Sequence, residues 1–301
     1  DGCLAAAAAA QSRSMTGPLA ARASRGFLFV VLAGLVFQAL NASVKLLVAE
    51  LPPMQVALMR WIAGILWIAP FALAQGFGGL RTQDLKLHGL RSLFHAAGYG
   101  LWYTALGSIT LATTAALAFT GPLFVTLGAV LFLGEKVRRT RWIAVGAGFL
   151  GVLVILRPGI AEVGAGALLM LASVPLIAGS NLVAKVVAGR DTPAQVVFWQ
   201  SAFATVLFAP VGIWLWAPVS AAQLGLAFLA GLFGTVAYFF LTWSYRLLDI
   251  SAVQPLMFLG IVWASLADIA FFGTTADAWT FVGAAVVVAA STMLVGKETR
   301  R

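Results

Sequence analysis

Cysteine is nearly missing from this chain: Cys3 is the only one in 301 residues, so neither a disulfide framework nor a thiolate metal site can be built. Charge is scarce as well. Asp, Glu, Lys and Arg make up 10% of the residues, against about 25% in a soluble domain. The ten acidic residues are scattered and there are only two histidines, which leaves no His/Asp/Glu spacing for a metal or a hydrolytic centre. Lys297 follows a glycine but has no phosphate loop before it, so ATP cannot drive this protein directly. Gly146-Ala147-Gly148-Phe149-Leu150-Gly151 has the spacing of a dinucleotide loop, yet it lies inside an apolar run with no strand ahead of it. Its glycines read as a close-packing helix face. No metal and no cofactor is expected.

What the chain has in abundance is apolar sequence, 61% of all residues. Runs of about 18 residues or more, enough to cross a hydrocarbon core of roughly 30 Å, fill nearly its whole length. Lipid offers no water to backbone groups, so each run must be helical. The short alternating segments of a membrane barrel are absent. The expected fold class is an all-α integral membrane protein with ten transmembrane helices. Cutting at charged and Pro/Gly-rich stretches places them at 26–49, 54–74, 87–107, 109–133, 140–157, 163–188, 193–217, 221–246, 250–272 and 277–295. Residues 1–25, an Ala5–Ala10 run followed by Ser, Arg and Gly, are expected to form a disordered tail. They end in no cleavable signal pattern, and Met15 is a candidate start.

The 19 Lys and Arg are distributed unevenly. With the N-terminus inside, fifteen fall in the tail or at inner ends, only Arg157 at an outer one, and Lys45, Arg60 and Lys185 within helices. Short inner loops carry the Lys/Arg excess. Both termini are therefore expected in the cytoplasm, in a bacterial inner membrane. The net charge of +9 is topogenic and attracts anionic head groups; nucleic acid is not an expected partner.

A duplication runs through this apolar background. Asn41, Lys45, Pro53 and Gln55 recur as Asn181, Lys185, Pro193 and Gln195, each 140 residues further on. Trp142/Gly146 likewise opens the fifth helix as Trp279/Gly283 opens the tenth. The units are 26–158 and 159–301, five helices each, and an odd count turns the second upside down relative to the first. Inverted repeats characterise secondary transporters, with the substrate site near the midplane between them.

Asn41-x3-Lys45-x7-Pro53-x6-Arg60, Gly121-Pro122, Gly134-Glu135 and the Gly-rich fifth helix resemble the EamA branch of the drug/metabolite transporter superfamily. The resemblance covers residues 26–296 and implies a ten-helix exporter or exchanger of small metabolites, amino acids (aromatic ones included) and organic cations. Thr274 stands where the first half has Glu135, and Gln200 where it has Arg60.

Polar residues inside a membrane are costly and tend to be functional. His95, Tyr99 and Trp102 share one face of the third helix; Thr235, Tyr238, Thr242 and Tyr245 share one of the eighth. Together they are candidates to line a substrate cavity suited to flat or cationic groups, with Trp199, Asn41 and Asn181 added, the asparagines first as structural support. Tyr245 reads as part of an interfacial aromatic belt. His95 is the deep group able to take a proton near neutrality. Asp268 is expected to pair with Arg60 or Lys45 as a gate. Pro122, Pro175 and Pro255 are expected to bend their helices and free carbonyls at membrane depth.

The residues thus point to a secondary transporter exporting small amphipathic metabolites or amino acids by alternating access, as a monomer or homodimer. Its partners would be substrate, lipid, and protons or a counter-substrate. The rival reading, a membrane enzyme acting on lipid-linked substrates, requires an interfacial cluster of carboxylates or histidines.

Overall fold

In a computed structural model of the protein, the described residues are 2–74, 80–118, 120–121, 123–124, 146–147, 150–151, 153–154, 164–247, 259–275 and 277–296. Among them there is no strand. The helices are α1 (Gly2–Val48), α2 (Pro53–Leu73), α3 (Leu85–Leu106), α4 (Leu111–Ala118), α5 (Ala165–Ala188), α6 (Pro193–Trp214), α7 (Ala221–Leu247), α8 (Leu259–Ala267) and α9 (Ala278–Gly296). Asp268–Phe272 extend α8 by one π-helical turn. The described residues between 146 and 154 are helical too.

The local chemistry explains the boundaries. Pro53 and Pro193 begin α2 and α6, where a missing N–H costs nothing. Thr192 and Gln195 form a capping box on α6: Thr192 Oγ1 accepts from the Gln195 N–H at 3.3 Å, and Gln195 Oε1 accepts from the Thr192 N–H at 2.7 Å. Gly273 ends the π turn at φ 60°, a left-handed position that glycine adopts without a steric penalty. Pro70 and Pro210 sit inside α2 and α6 and are themselves 140 residues apart.

Residues 2–25 have helical geometry and continue α1 from Gly2. Alanine has the highest intrinsic helix propensity, so the Ala5–Ala10 run extends α1 instead of breaking it.

Among the described residues five helices are long and apolar enough to cross a membrane: Arg25–Val48 of α1, Pro53–Phe71 of α2, and all of α5, α6 and α7. The distribution of polarity is inside-out. Leu66, Phe71, Val206, Ile213 and Phe271 are more than half exposed, while Arg60, His95 and Asp268 are buried within the bundle. In water such a surface would aggregate; in lipid it meets its own kind. α1 packs chiefly on α7, α3 on α5, and α2 on both α6 and α7; α3 also meets α6, α1 meets α8, and α4 meets α5 and α8. Small residues set these approaches: Gly231 of α7 lies against Ala63 of α2, and Gly98 of α3 against Leu176 and Ile177 of α5.

Candidate functional site

The predicted face of α3 meets the predicted face of α7 in the middle of the bundle. His95 and Tyr99 stack with centroids 4.2 Å apart, and Tyr99 continues the stack onto Trp102 at 5.6 Å. Tyr238 stands edge-on to His95 at 5.3 Å. Two rings that the sequence did not single out complete the cluster. Trp61 of α2 lies 5.1 Å from His95 and stacks on Tyr238 at 6.1 Å, and Phe37 of α1 packs edge-on to Tyr238 at 5.0 Å. The Nε2 and Nδ1 atoms of His95 lie 3.3 Å from the Tyr238 hydroxyl and 3.4 Å from the Ser180 hydroxyl, so a neutral imidazole gives one proton and takes one. Four helices, α2, α3, α5 and α7, converge on this one ring.

Two guanidiniums flank the rings. Arg60 is buried, packs over Trp61 at 3.5 Å and presses against Gly234, where an added Cβ would sit 2.6 Å from Nη1. Arg91 is buried one turn before His95 and donates from Nη1 to the Val196 carbonyl at 3.3 Å. The fields of both charges act on His95 and Tyr99. By charge pattern alone Arg91 counts among the fifteen cations of the tail and inner ends. A usable signal was present, since Arg91, His95, Tyr99 and Trp102 fall on one helical face.

Among the described residues Asp268 pairs with Lys45 and not with Arg60. Lys45 Nζ lies 3.5 Å from Asp268 Oδ1 and donates to the Ile109 carbonyl at 3.0 Å. Asp268 also accepts from the Leu111 and Ala112 N–H groups at 3.0 and 2.8 Å, capping α4 where its dipole is positive. Arg60 is committed elsewhere because its face of α2 turns toward α7. At this same end Gln55 donates to and accepts from Ala217 at 2.9 and 2.8 Å, and Gln223 bonds to Glu50.

The other end carries a cluster that sequence reading missed. His88 Nε2 lies 2.8 Å from Asp191 Oδ2, Thr82 donates to the same carboxylate, and Arg190 pairs with Asp84. Gln195 donates to the Arg81 carbonyl at 3.0 Å and Trp199 to the Leu80 carbonyl at 2.9 Å. Trp199 therefore belongs to this end and not to the His95–Tyr238 ring cluster: its indole N–H reaches a loop carbonyl and its ring packs on Phe198 and Phe203.

The remaining candidates fall as follows. Asn41 meets Gln38 of its own helix at 3.5 Å, a supporting role, and Asn181 is half-buried on α5. Thr242 bonds back to the Tyr238 carbonyl at 2.7 Å, holding that turn of α7. Tyr245, read as an interfacial residue, is buried instead, with its carbonyl accepting from Lys185 at 2.7 Å. Pro175 lies inside α5, close to where Gly98 lets α3 approach. Pro122 and Pro255, and Gly134-Glu135, lie outside the described residues. Among the described residues no group of His, Cys, Asp and Glu is placed to hold a metal.

Comparison with known proteins finds relatives over most of the chain. The model of the EamA-like transporter family matches twice, at residues 24–157 and 164–296. The riboflavin transporter of Rhizobium johnstonii is 35% identical over 287 residues, spanning 93% of this chain and 94% of that one. The S-adenosylmethionine uptake transporter of Rickettsia felis is 26% identical over 85% of this chain and 87% of its own length. The pseudopaline exporter of Pseudomonas aeruginosa is 27% identical, covering 88% and 94%. One crystal structure shares the fold, with a TM-score of 0.62 at 17% identity over 91% of this chain and 96% of that chain.

Proposed function

This chain belongs to the EamA-like transporter family, and from that premise we propose that it carries a flat heteroaromatic metabolite through the His95–Tyr99–Trp61–Tyr238 cluster by alternating access. Its family makes it a membrane transporter of small molecules rather than an enzyme. The observation that carries the substrate class is the cluster itself: stacked and edge-on rings from both halves of the chain, buried at the crossing of the central helices. Stacking on such rings is worth about 1–3 kcal/mol per base-like ring. Riboflavin, named for the relative at 35% identity, is the first ligand to test. Aromatic amino acids, expected from the sequence, would fill less of the cluster.

Two features support the inverted, alternating arrangement. Exchanging α1, α2, α3 and α4 with α5, α6, α7 and α8 turns α1–α7 into α5–α3, α2–α7 into α6–α3 and α1–α8 into α5–α4, and leaves α2–α6 and α4–α8 as they are. The repeat mates Gln55 and Gln195 also do the same job at opposite ends, each bonding to the connection that follows the other's helix. We read the Lys45–Asp268 end as periplasmic and the His88–Asp191 end as cytoplasmic. Both are tied in this conformation, which is the occluded state of the cycle. Net movement follows the substrate's gradient or an exchanged substrate, outward when the metabolite accumulates inside.

Flux of labelled riboflavin into proteoliposomes tests the reading. We expect saturable uptake that is stimulated by unlabelled riboflavin on the far side, and Tyr99→Ala to weaken apparent affinity about five- to hundredfold. Transport of tyrosine or tryptophan with no riboflavin flux would overturn the flavin-like substrate.

A further inference from the structure

We infer that the transported ring presents an acceptor-only edge to Arg60 and Arg91, so that the site takes carbonyl-rich or anionic flat molecules and rejects flat cations. This rests on the aromatic cluster being the transport site.

The argument comes from what the buried donors lack. Nε and Nη2 of Arg60, Nε of Arg91 and the indole N–H groups of Trp61 and Trp102 are all buried, and among the described residues none has a hydrogen-bond partner. Each of these atoms donates and none can accept; the Tyr103 and Ser92 hydroxyls, buried and unpartnered too, can accept but carry no charge to offset the guanidiniums. Buried polar groups are nearly always satisfied, so several orphans around one cluster call for a missing acceptor. Water satisfies single orphans, but water does not neutralise charge. Asp268 is held by Lys45, Asp191 by His88 and Asp84 by Arg190. Among the described residues the two guanidiniums therefore sit in low dielectric without a carboxylate partner, an arrangement that is expensive until a counter-group arrives. A guanidinium presents its N–H groups as a planar fork, which fits paired oxygens: a carboxylate, a phosphate, or the two carbonyls of a ring imide. The same positive field raises the cost of bringing in a cation, which offers donors where acceptors are needed. The organic cations implied by the family resemblance are thus the substrates this site is least suited to accept.

The duplication supplies the informative substitution. Gln200 occupies the position 140 residues after Arg60 and is buried, its own amide without a partner among the described residues. R60Q puts at position 60 the side chain already used at the equivalent place in the second half. Equilibrium binding to purified protein in lipid nanodiscs would compare riboflavin (neutral, with an imide edge), riboflavin 5′-phosphate (anionic) and a flat acridinium dye (cationic). For the wild type we expect both flavins to bind at least about tenfold more tightly than the acridinium. R60Q should weaken both flavins roughly tenfold or more, the range of a hydrogen bond to a charged group, and narrow or reverse their advantage over the dye. R60K, which keeps charge but loses the fork, should restore the anionic flavin more than the neutral one. It carries the comparison if R60Q does not yield folded protein. Wild-type binding that ignores ligand charge, or an unchanged flavin-to-acridinium ratio in the variants, overturns this inference and leaves the aromatic site standing. Failure of wild type to bind any flat ligand overturns both.

Discussion

Asp268 holds three partners at once: a lysine, and two backbone N–H groups that begin α4. Its partner Lys45 keeps 16% side-chain exposure and has further support from the Ile109 carbonyl and the Phe272 ring. The two residues should therefore respond unequally to mutation. D268N removes the charge and turns a donor toward an N–H that needs an acceptor, a change expected to cost about 3 kcal/mol, the lower end for breaking a buried pair. K45M leaves the carboxylate capped by both N–H groups and should cost less. Thermal unfolding in detergent, followed by tryptophan fluorescence, would order them; a larger loss for K45M would contradict this account of the gate. How much of this was legible differs by residue. Asp268 and Lys45 announced themselves as charges in apolar runs, and His95, Tyr99 and Tyr238 through helical spacing. The choice of Lys45 over Arg60 was not legible, because it depends on how α2 is rotated, and no side chain in an apolar helix records that rotation. Trp61 was missed for the same reason. His88–Asp191 was missed because Asp191 lies in a short connection whose neighbour across the bundle only the fold reveals.

At the scale of the helix, lipid made the elements easy to read and their closeness hard. Spans near 20 residues follow from the thickness of the bilayer, which is why α2, α5, α6 and α7 begin and end within a few residues of expectation. Nothing in the apolar runs says which glycine touches a neighbour. Gly231 does: an added Cβ would lie 2.4 Å from the Ala63 Cβ and 3.0 Å from backbone atoms of Ala63 and Gly64. Backbone cannot step aside as a flexible side chain can, so G231A should destabilise by about 1–3 kcal/mol and loosen the α2–α7 contact that carries Trp61 and Arg60. Gly225, on the same helix, has open space where its Cβ would be. G225A should be neutral or stabilising by up to about 1 kcal/mol, from helix propensity alone. Melting temperatures of the two variants in one detergent make the comparison, and equal shifts would show that α7 does not approach α2 this closely. Pro70 and Pro210 belong to the same lesson. Their 140-residue spacing was readable beside the four mates already noticed, and it places a proline bend late in both α2 and α6.

For the whole molecule, the duplication, the charge asymmetry and the tied ends converge on one spatial requirement. The connections that touch one another must lie on the same face of the membrane. Gln55 reaches Ala217, Glu50 reaches Gln223, and Lys45 reaches Ile109 and Asp268 at one end; Thr82 and Asp84 reach Asp191 and Arg190 at the other. The Lys/Arg excess is the basis on which we propose that the second end faces the cytoplasm. Gln83 and Thr275 are both exposed and lie beyond opposite ends of the bundle, so they can report on that assignment. In a Cys3→Ser background, we expect a membrane-impermeant maleimide to label T275C in right-side-out vesicles at once, and Q83C only after the membrane is opened. Labelling of both from the same side would dissolve the inverted arrangement, and with it the exchange of packing pairs that supports alternating access. The opposite pattern would keep the inversion and reverse the protein in the bilayer. The Lys45–Asp268 latch would then face the cytoplasm and the His88–Asp191 pair the outer medium, where its protonation would follow external pH.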